Sequence, residues 1–437
     1  MKVLKFGSAS IATADKLRKV AAIVTKEYNN IIVLSSMSGT AEALAEISDY
    51  LYKKNQEGAT EIINKLEKHY LGLISLLFDK EEFRKKAKDV VSGKFDYVRT
   101  FTKDLFTLFE ERVVMAQGEL ISSELFHLFL LERGVKAALI PALDFMRTDK
   151  NSAPDPVYIK DKLNILLETS KDADLYITQG YICRNAYGEI DDLRKGGSDF
   201  SAALVGVAVN ASEIQIWADV FAMQNNNPQY VKNTTPIRQL NFDEAAELAY
   251  FGTKVLHPTS ILPAKLADIP VCLKNTEYPE ADGTVISNKT EEGVIKAVGA
   301  RDNITAIKIK SGKMLLAHGF LRRVTEVFEN YQTSIDMLAT SEIGFSLTID
   351  DNKNLEYIVD DLKKYGTVSV DKDMVIVSVI GDLESEHTGF AANILGSMKD
   401  IPVRMLSYGG SKYNFSFLIN KKDKEKTLQI LNDKLFN

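Results

Sequence analysis

Lys5-Phe6-Gly7 stands near the start of the chain, and Phe251-Gly252-Thr253-Lys254-Val255-Leu256-His257-Pro258 lies far along it. Between them is Lys195-Gly196-Gly197-Ser198-Asp199. Two lysines, glycine-rich turns and one aspartate suit the movement of a phosphoryl group between two anions, which needs positioned positive charge around the migrating group. Lys5 comes one residue before the end of a short apolar run, Val3 to Phe6. Its ammonium either snorkels to water or meets an anion beyond the carboxyl ends of the strands, where open α/β sheets bind ligands. Gly7 lets the backbone approach an anion, and the helix that follows offers its amides. Ser198 and Asp199 precede an apolar helical stretch. They read either as helix caps or as an anion cradle with one orienting carboxylate. Gly118-Glu119 joins two helical regions, and Glu119 either binds an amine or is a first-turn acid favoured by the helix dipole. Lys254 follows a helix over Glu244 to Tyr250. It either caps that helix or meets phosphates from the side opposite Lys5.

These residues need a scaffold, and the pattern supplies one. Val3 to Phe6 and Ile31 to Leu34 are buried-type strands. Each ends in a small-residue turn before a helix, which is the parallel α/β signature. From about 41 to 117 the pattern is helical, an insertion beside the sheet. Further strands fall at Val135 to Ile140, Leu175 to Thr178, Ile214 to Trp217 and Pro270 to Leu273. Near residue 295 the elements shorten. Met314 to His318 reads as a strand, Phe320 to Tyr331 as a helix, and Ser334 to Ala339 and Phe345 to Ile349 as strands. Leu355 to Lys364 reads as a helix and Thr367 to Val370 as a strand. The same βαββαβ order then recurs to the end of the chain. The expected domains are 1–293, and 294–437 with two small units, one at about 314–372 and one combining 303–310 with 373–437.

A chain of 437 residues at net charge −6 has no excess of basic groups for nonspecific nucleic-acid binding. No signal segment or membrane span is expected from the sequence. Cys183 and Cys272 lack CxxC spacing and read as free thiols of a reducing cytoplasm. The five histidines are scattered with no i, i+4 pair, so no protein metal site is expected.

The motifs named above, with Gln117-Gly118-Glu119, Met146 to Asp149, Tyr176 to Ile182 and Trp217-Ala218-Asp219, resemble those of aspartate kinases of the amino-acid kinase family. The small tandem units resemble that family's ACT regulatory domains. The resemblance implies a three-layer α/β sandwich with a mainly parallel sheet, followed by two ACT-type units. It implies ATP with Mg2+, and L-aspartate phosphorylated to 4-phospho-L-aspartate at the head of the lysine, threonine and methionine route. By similarity Lys5 and Lys254 stabilise phosphoryl charge and Asp199 organises them. Ser35, Glu119, Lys195 and Ser198 bind aspartate, while Gly7, Gly196, Gly197, Asp219 and Lys254 face the nucleotide. Met314, Gly319, Phe320, Leu321, Ile335, Asp336, Thr340, Ser341 and Glu342 fall where the family binds an effector. Lysine is the expected effector and threonine the alternative, in a homodimer or larger assembly joined through the ACT units.

Several positions depart from the family pattern. Ser8-Ala9 stands for Gly-Thr, and Lys195 stands for an arginine unless Arg194 serves. Ala218, Phe221, Ala222, Asn227 and Gln229 replace a hydroxyl, a glycine and charged groups on the nucleotide side. Removing one preorganised charged group from such a site costs about 3 kcal/mol. A second reading is therefore a weakly active or inactive paralogue that senses an amino acid and binds a partner.

Overall fold

The computed structural model describes residues 1–103, 105–194, 196–219, 222–251, 256–312, 318–383 and 388–436. Two compact units divide the chain: Met1–Met223 with Leu256–Asn288, and Gln224–Val255 with Lys289–Asn437.

In the first unit a separate two-stranded hairpin pairs Ile182–Arg184 with Ile190–Asp192, and the main sheet contains β1 (Val3–Phe6), β2 (Asn30–Leu34), β3 (Ala137–Leu139), β4 (Leu175–Gln179), β5 (Ile214–Ala218), β6 (Val271–Asn275) and β7 (Thr284–Ser287). They lie in the order β3-β4-β2-β1-β5-β6-β7. All pairs are parallel except β6 with β7. Every residue of β1 and β2 is buried, as expected of strands covered on both faces. Register sets Phe6 level with Leu34 and Trp217, and Leu34 level with Gln179. The parallel strands therefore stop along one line, and the loops after them share one edge of the sheet.

Helix α1 (Ala14–Val24) follows β1. Helices α2 (Thr40–Tyr52), α3 (Gln56–Leu77), α4 (Glu81–Thr100) and α5 (Leu108–Glu132) follow β2. The helical region expected to end at 117 instead runs to Glu132, because α5 is buried on most of its faces and continues as a core helix. Alone among the described residues, α5 is long and apolar enough to cross a membrane, and most of it is buried inside this unit. Its buried Phe126, Phe129 and Leu130 join the main apolar core with Phe6, Leu34, Ile177 and Trp217. Helix α6 (Gly197–Ala208) packs against β1, β2 and β5.

The second unit contains helix α7 (Phe242–Phe251). It then continues with β8 (Ile295–Lys310), α8 (Phe320–Asn330), β9 (Leu338–Thr340), β10 (Gly344–Ile349), α9 (Leu355–Leu362) and β11 (Thr367–Gly381). Last come α10 (Phe390–Ser397), β12 (Met405–Tyr408), β13 (Asn414–Asn420) and α11 (Lys424–Leu435). Its six-stranded sheet runs β9-β10-β8-β11-β13-β12. β8 and β11 are long enough to serve two βαββαβ halves, and each breaks register near its middle. Asn303 and Asp373 take left-handed backbone there (φ 62° and 55°), a conformation that short polar side chains tolerate. The extra residue re-aims the side chains beyond each break.

One half uses Ile304 to Lys310 with α8, β9, β10 and α9, around Ile307, Phe328, Phe345 and Ile358. The other uses Ile295 to Arg301 with α10, β12, β13 and α11, around Val377, Phe415, Phe417 and Leu428. The sequence-based assignment of 303–310 to the later half is thus corrected: residues 304–310 pair in the earlier one. The expected strand at Met314 to His318 falls largely outside the described residues. Ser334 to Met337 is not strand; only Leu338–Thr340 is.

The boundary expected after 293 also differs. Phe251 joins an apolar cluster with Ile304, Met337, Met374, Ile376 and Leu418. Asn414 Nδ2 donates to the Glu247 carboxylate at 2.9 Å. These contacts place 224–255 in the second unit.

Candidate active site

The site lies along the shared carboxyl edge of the first unit's sheet. Each strand end prolongs the ladder by one bond: Gly7 N–H donates to Trp217 O, Ser35 N–H to Phe6 O and Gly180 N–H to Leu34 O. These bonds pin the loop origins where the parallel strands stop.

Lys5 is only 8% exposed in β1. A buried ammonium is costly without a partner. Its partner is Asp199 in the first turn of α6, with Nζ 2.6 Å from Oδ1. The contact is close but not aligned as a hydrogen bond. The ion pair therefore holds Lys5 in place while its N–H groups keep directions open for a ligand.

Ser198 precedes Asp199, and its hydroxyl lies 2.6 Å from that of Ser35. Gly180 makes this approach possible: a Cβ there would fall 2.4 Å from Ser198 Cβ. Ser36 N–H donates to Glu119 Oε1 at 3.2 Å, and Ser122 Oγ donates to Ser35 O at 2.7 Å. Glu119 is 7% exposed, and burial pushes its carboxyl up to about 7, against the pull of the Ser36 bond. The residue is mid-helix in α5, so the expectation that it opens a helix is corrected. Gly118 beside it lets α5 close on the Ser35 loop, since a Cβ would fall 2.9 Å from Ser36 Cβ.

Gly196 and Gly197 both have positive φ (90° and 56°), and α6 begins there. Gly196 packs on Ser260, where an added Cβ would come within 2.9 Å, so only glycine fits. Gly197 faces open space. Arg194 is exposed. Gly7 departs from its expected role. Its amide is spent on Trp217 O, so it is not free for a phosphate. A Cβ there would sit 3.5 Å from Lys5 Nζ, in ordinary contact.

Asp219 follows β5 and is exposed. Lys16, on α1, lies 3.9 Å from Asp219 Oδ2, and its Nζ donates to Ala9 O at 2.7 Å. Sequence patterning misses Lys16, because a polar residue on a helix face ordinarily signals solvent. The continuous series Glu119, Ser36, Ser35, Ser198, Asp199, Lys5, Gly7, Trp217, Asp219 and Lys16 therefore lines one edge. The buried Glu119 carboxylate is at one end, the Lys5–Asp199 pair in the middle and the Asp219–Lys16 pair at the other end. Lys195 and Lys254 lie outside the described residues.

Of the expected effector residues, Gly319 (φ 75°) caps α8, Phe320 is buried and Leu321 is exposed. Ile335 and Asp336 precede β9, Thr340 ends it, and the exposed Ser341 and Glu342 lead towards β10, where Ser341 N–H donates to Gly344 O. The Asp336 side chain is fully buried and accepts a hydrogen bond from Tyr250, while Glu342 is exposed. Burial holds the Asp336 carboxyl above the usual range, with the Tyr250 bond opposing. Met314 lies outside the described residues.

Residues 1–275 match the model of the amino acid kinase family, and 377–435 match an ACT domain. The chain is 32% identical to aspartokinase 1, chloroplastic, of Arabidopsis thaliana, over 99% of this chain and 80% of that protein. It superposes on E. coli aspartokinase III, 30% identical, over 100% of both chains. The TM-score is 0.82 with the complex with aspartate and ADP in the R-state, and 0.84 with the complex with lysine and aspartate in the T-state. The chain belongs to the amino acid kinase family, as an aspartokinase, a phosphotransferase carrying an ACT regulatory domain.

Proposed function

We propose that the chain transfers the γ-phosphoryl group of ATP to the side-chain carboxylate of L-aspartate, giving 4-phospho-L-aspartate for lysine, threonine and methionine synthesis, under feedback by lysine. The observation that carries this reading is the Lys5–Asp199 pair beside the hydrogen-bonded Ser198–Ser35 hydroxyls and the buried Glu119. Aspartate's ammonium meets Glu119, while Ser35 and Ser198 hold its carboxylates with Lys195. The attacking group is already a carboxylate, so no base is needed. An oxygen of that carboxylate bonds to the γ-phosphorus as the bond to the bridging oxygen breaks, and ADP leaves. The barrier comes from bringing two anions together, and Lys5 and Lys254 lower it by stabilising charge on the transferring group. Asp199 keeps Lys5 aimed. Gly196 and Gly197 open the backbone towards the nucleotide, with Asp219 and Lys16 at its far side.

Among the described residues no group of three or more His, Cys, Asp or Glu side chains could hold a metal ion. Magnesium enters with ATP, bound to its phosphates. Lysine acts at the first βαββαβ half near Asp336 and Gly319, and pairing of ACT units joins two copies of the chain. Buried free Cys183 and Cys272 suit the reducing cytoplasm.

The substitutions at Ser8, Ala9, Ala218 and Gln229 favour the second reading, a sensor without turnover. The intact lysine–aspartate pair favours the kinase. ADP release measured with L-aspartate, with L-glutamate and with no acceptor decides the substrate. Release that depends on L-aspartate alone supports the proposal, and release independent of any acceptor, or none, overturns it.

A further inference from the structure

Two large residues near the pocket hold left-handed backbone, Tyr181 (φ 66°) and Arg194 (φ 50°). Bulky side chains avoid that region unless their surroundings impose it, and residues held there cluster at functional sites. The two flank the hairpin that pairs Ile182–Arg184 with Ile190–Asp192. One carboxylate serves both. Asp192 Oδ1 accepts from Arg194 N–H at 2.7 Å, and the same side chain accepts a hydrogen bond from the Tyr181 hydroxyl.

The hairpin reaches both helices that carry the pocket. On the α6 side, Tyr181 N–H donates to Ser201 Oγ at 2.7 Å, about one turn beyond Ser198. Leu193 N–H donates to Tyr181 O at 2.9 Å, closing the base of the hairpin on the same residue. On the α5 side, Arg112 Nη1 lies 3.1 Å from Asp191 Oδ2, with both side chains largely buried. Arg112 stands about two turns before Glu119. Burial pushes the Tyr181 hydroxyl up to about 12, helped by the charges of Asp192 and Glu119, so it stays a neutral donor.

We propose that this hairpin braces α5 against α6 and sets the width of the aspartate pocket, with Tyr181 and Asp192 as positioning residues that make it reject a longer dicarboxylate. This rests on the reading of Glu119 and Ser198 as aspartate ligands, one on each braced helix. Neither Tyr181 nor Asp192 needs to touch the substrate. A loosened brace admits the extra methylene of L-glutamate, a difference that a fitted pocket rejects about 10- to 200-fold.

The test is Tyr181→Phe, which keeps the ring and removes only the hydroxyl, beside Asp192→Ala, which releases both left-handed residues. The readouts are kcat/KM for L-aspartate against L-glutamate, and KM for ATP. Both variants should show a KM for aspartate raised several-fold, an aspartate-to-glutamate ratio lowered about tenfold, and an unchanged KM for ATP. Asp192→Asn keeps one acceptor oxygen and should recover most of the preference. A loss of stability alone would leave the ratio unmoved. An unmoved ratio in folded Tyr181→Phe would overturn the proposal, and so would a KM for ATP that rises as much as that for aspartate. If the unaltered protein turns over no aspartate, the kinase reading falls by itself. Amide hydrogen exchange over 198–204 then decides the brace: faster exchange in Tyr181→Phe supports it, and unchanged exchange overturns it.

Discussion

Glu119 gives the most quantitative test of the substrate pocket. Its carboxyl is raised by burial from an ordinary 4.5 to about 7, yet it must be ionised to hold aspartate's ammonium. Below pH 7 the free site is increasingly protonated and loses that attraction. The apparent KM for aspartate should scale as one plus the ratio of protonated to ionised site, so it should rise about tenfold from pH 8 to pH 6. KM for ATP should not follow it. Glu119→Gln keeps the acceptor oxygen for the Ser36 amide and removes the charge. KM for aspartate should then rise about 10- to 100-fold and become flat across that range.

Stability supplies an independent sign. The folded-state value lies above the unfolded one, so the group's stabilisation is complete below about 4.5 and is lost as pH rises through about 7. By pH 8 the cost of burying the ionised form is about 3 kcal/mol. Glu119→Gln should therefore unfold at higher denaturant than the unaltered protein at pH 8, with the gap closing towards pH 4.5. Steady-state kinetics and urea titrations at several pH values read both effects. A KM for aspartate that is flat between pH 6 and pH 8 would refute the assignment.

Four further outcomes follow from the geometry. Asp199→Asn leaves Lys5 buried without its counter-charge, and kcat should fall by about a hundredfold or more; circular dichroism would confirm that the fold survives. Lys16→Ala should raise KM for ATP several-fold without changing KM for aspartate, and the double variant with Asp219→Asn in a kinetic cycle would show whether the two act as a unit. Gly7→Ala places its Cβ in ordinary contact, so its melting temperature should stay within a few degrees of the original. Gly180→Ala drives a Cβ into Ser198, so it should cost about 1–3 kcal/mol in stability and raise KM for aspartate.

Much of this site is legible in the sequence, for local reasons. Lys5 ends a short apolar strand, and Gly196-Gly197 opens an apolar helix, so both announce themselves within a few residues. Ser35 is visible because β2 ends in small residues. What the sequence hides depends on distant partners. Lys16 looks like an ordinary solvent-facing residue until the fold sets it beside Ala9 and Asp219. Glu119 looks like a helix start because Gly118 resembles a break; in the fold that glycine lets α5 pass close to Ser36. The two βαββαβ halves are readable as a repeat, but their strand-sharing is not. Left-handed Asn303 and Asp373 sit at register breaks within single long strands. The membership of 224–255 in the second unit is equally hidden, because it depends on where Phe251 and Glu247 find partners.

The central claim is phosphoryl transfer to a carboxylate by a Lys5-dependent site. The most direct measurement incubates the purified protein with ATP, magnesium and L-aspartate in the presence of hydroxylamine, with Lys5→Ala in parallel. The account predicts aspartyl hydroxamate from the unaltered protein and a loss of about a hundredfold or more in the variant. No hydroxamate from folded, lysine-binding protein, or equal yields from both, would contradict it.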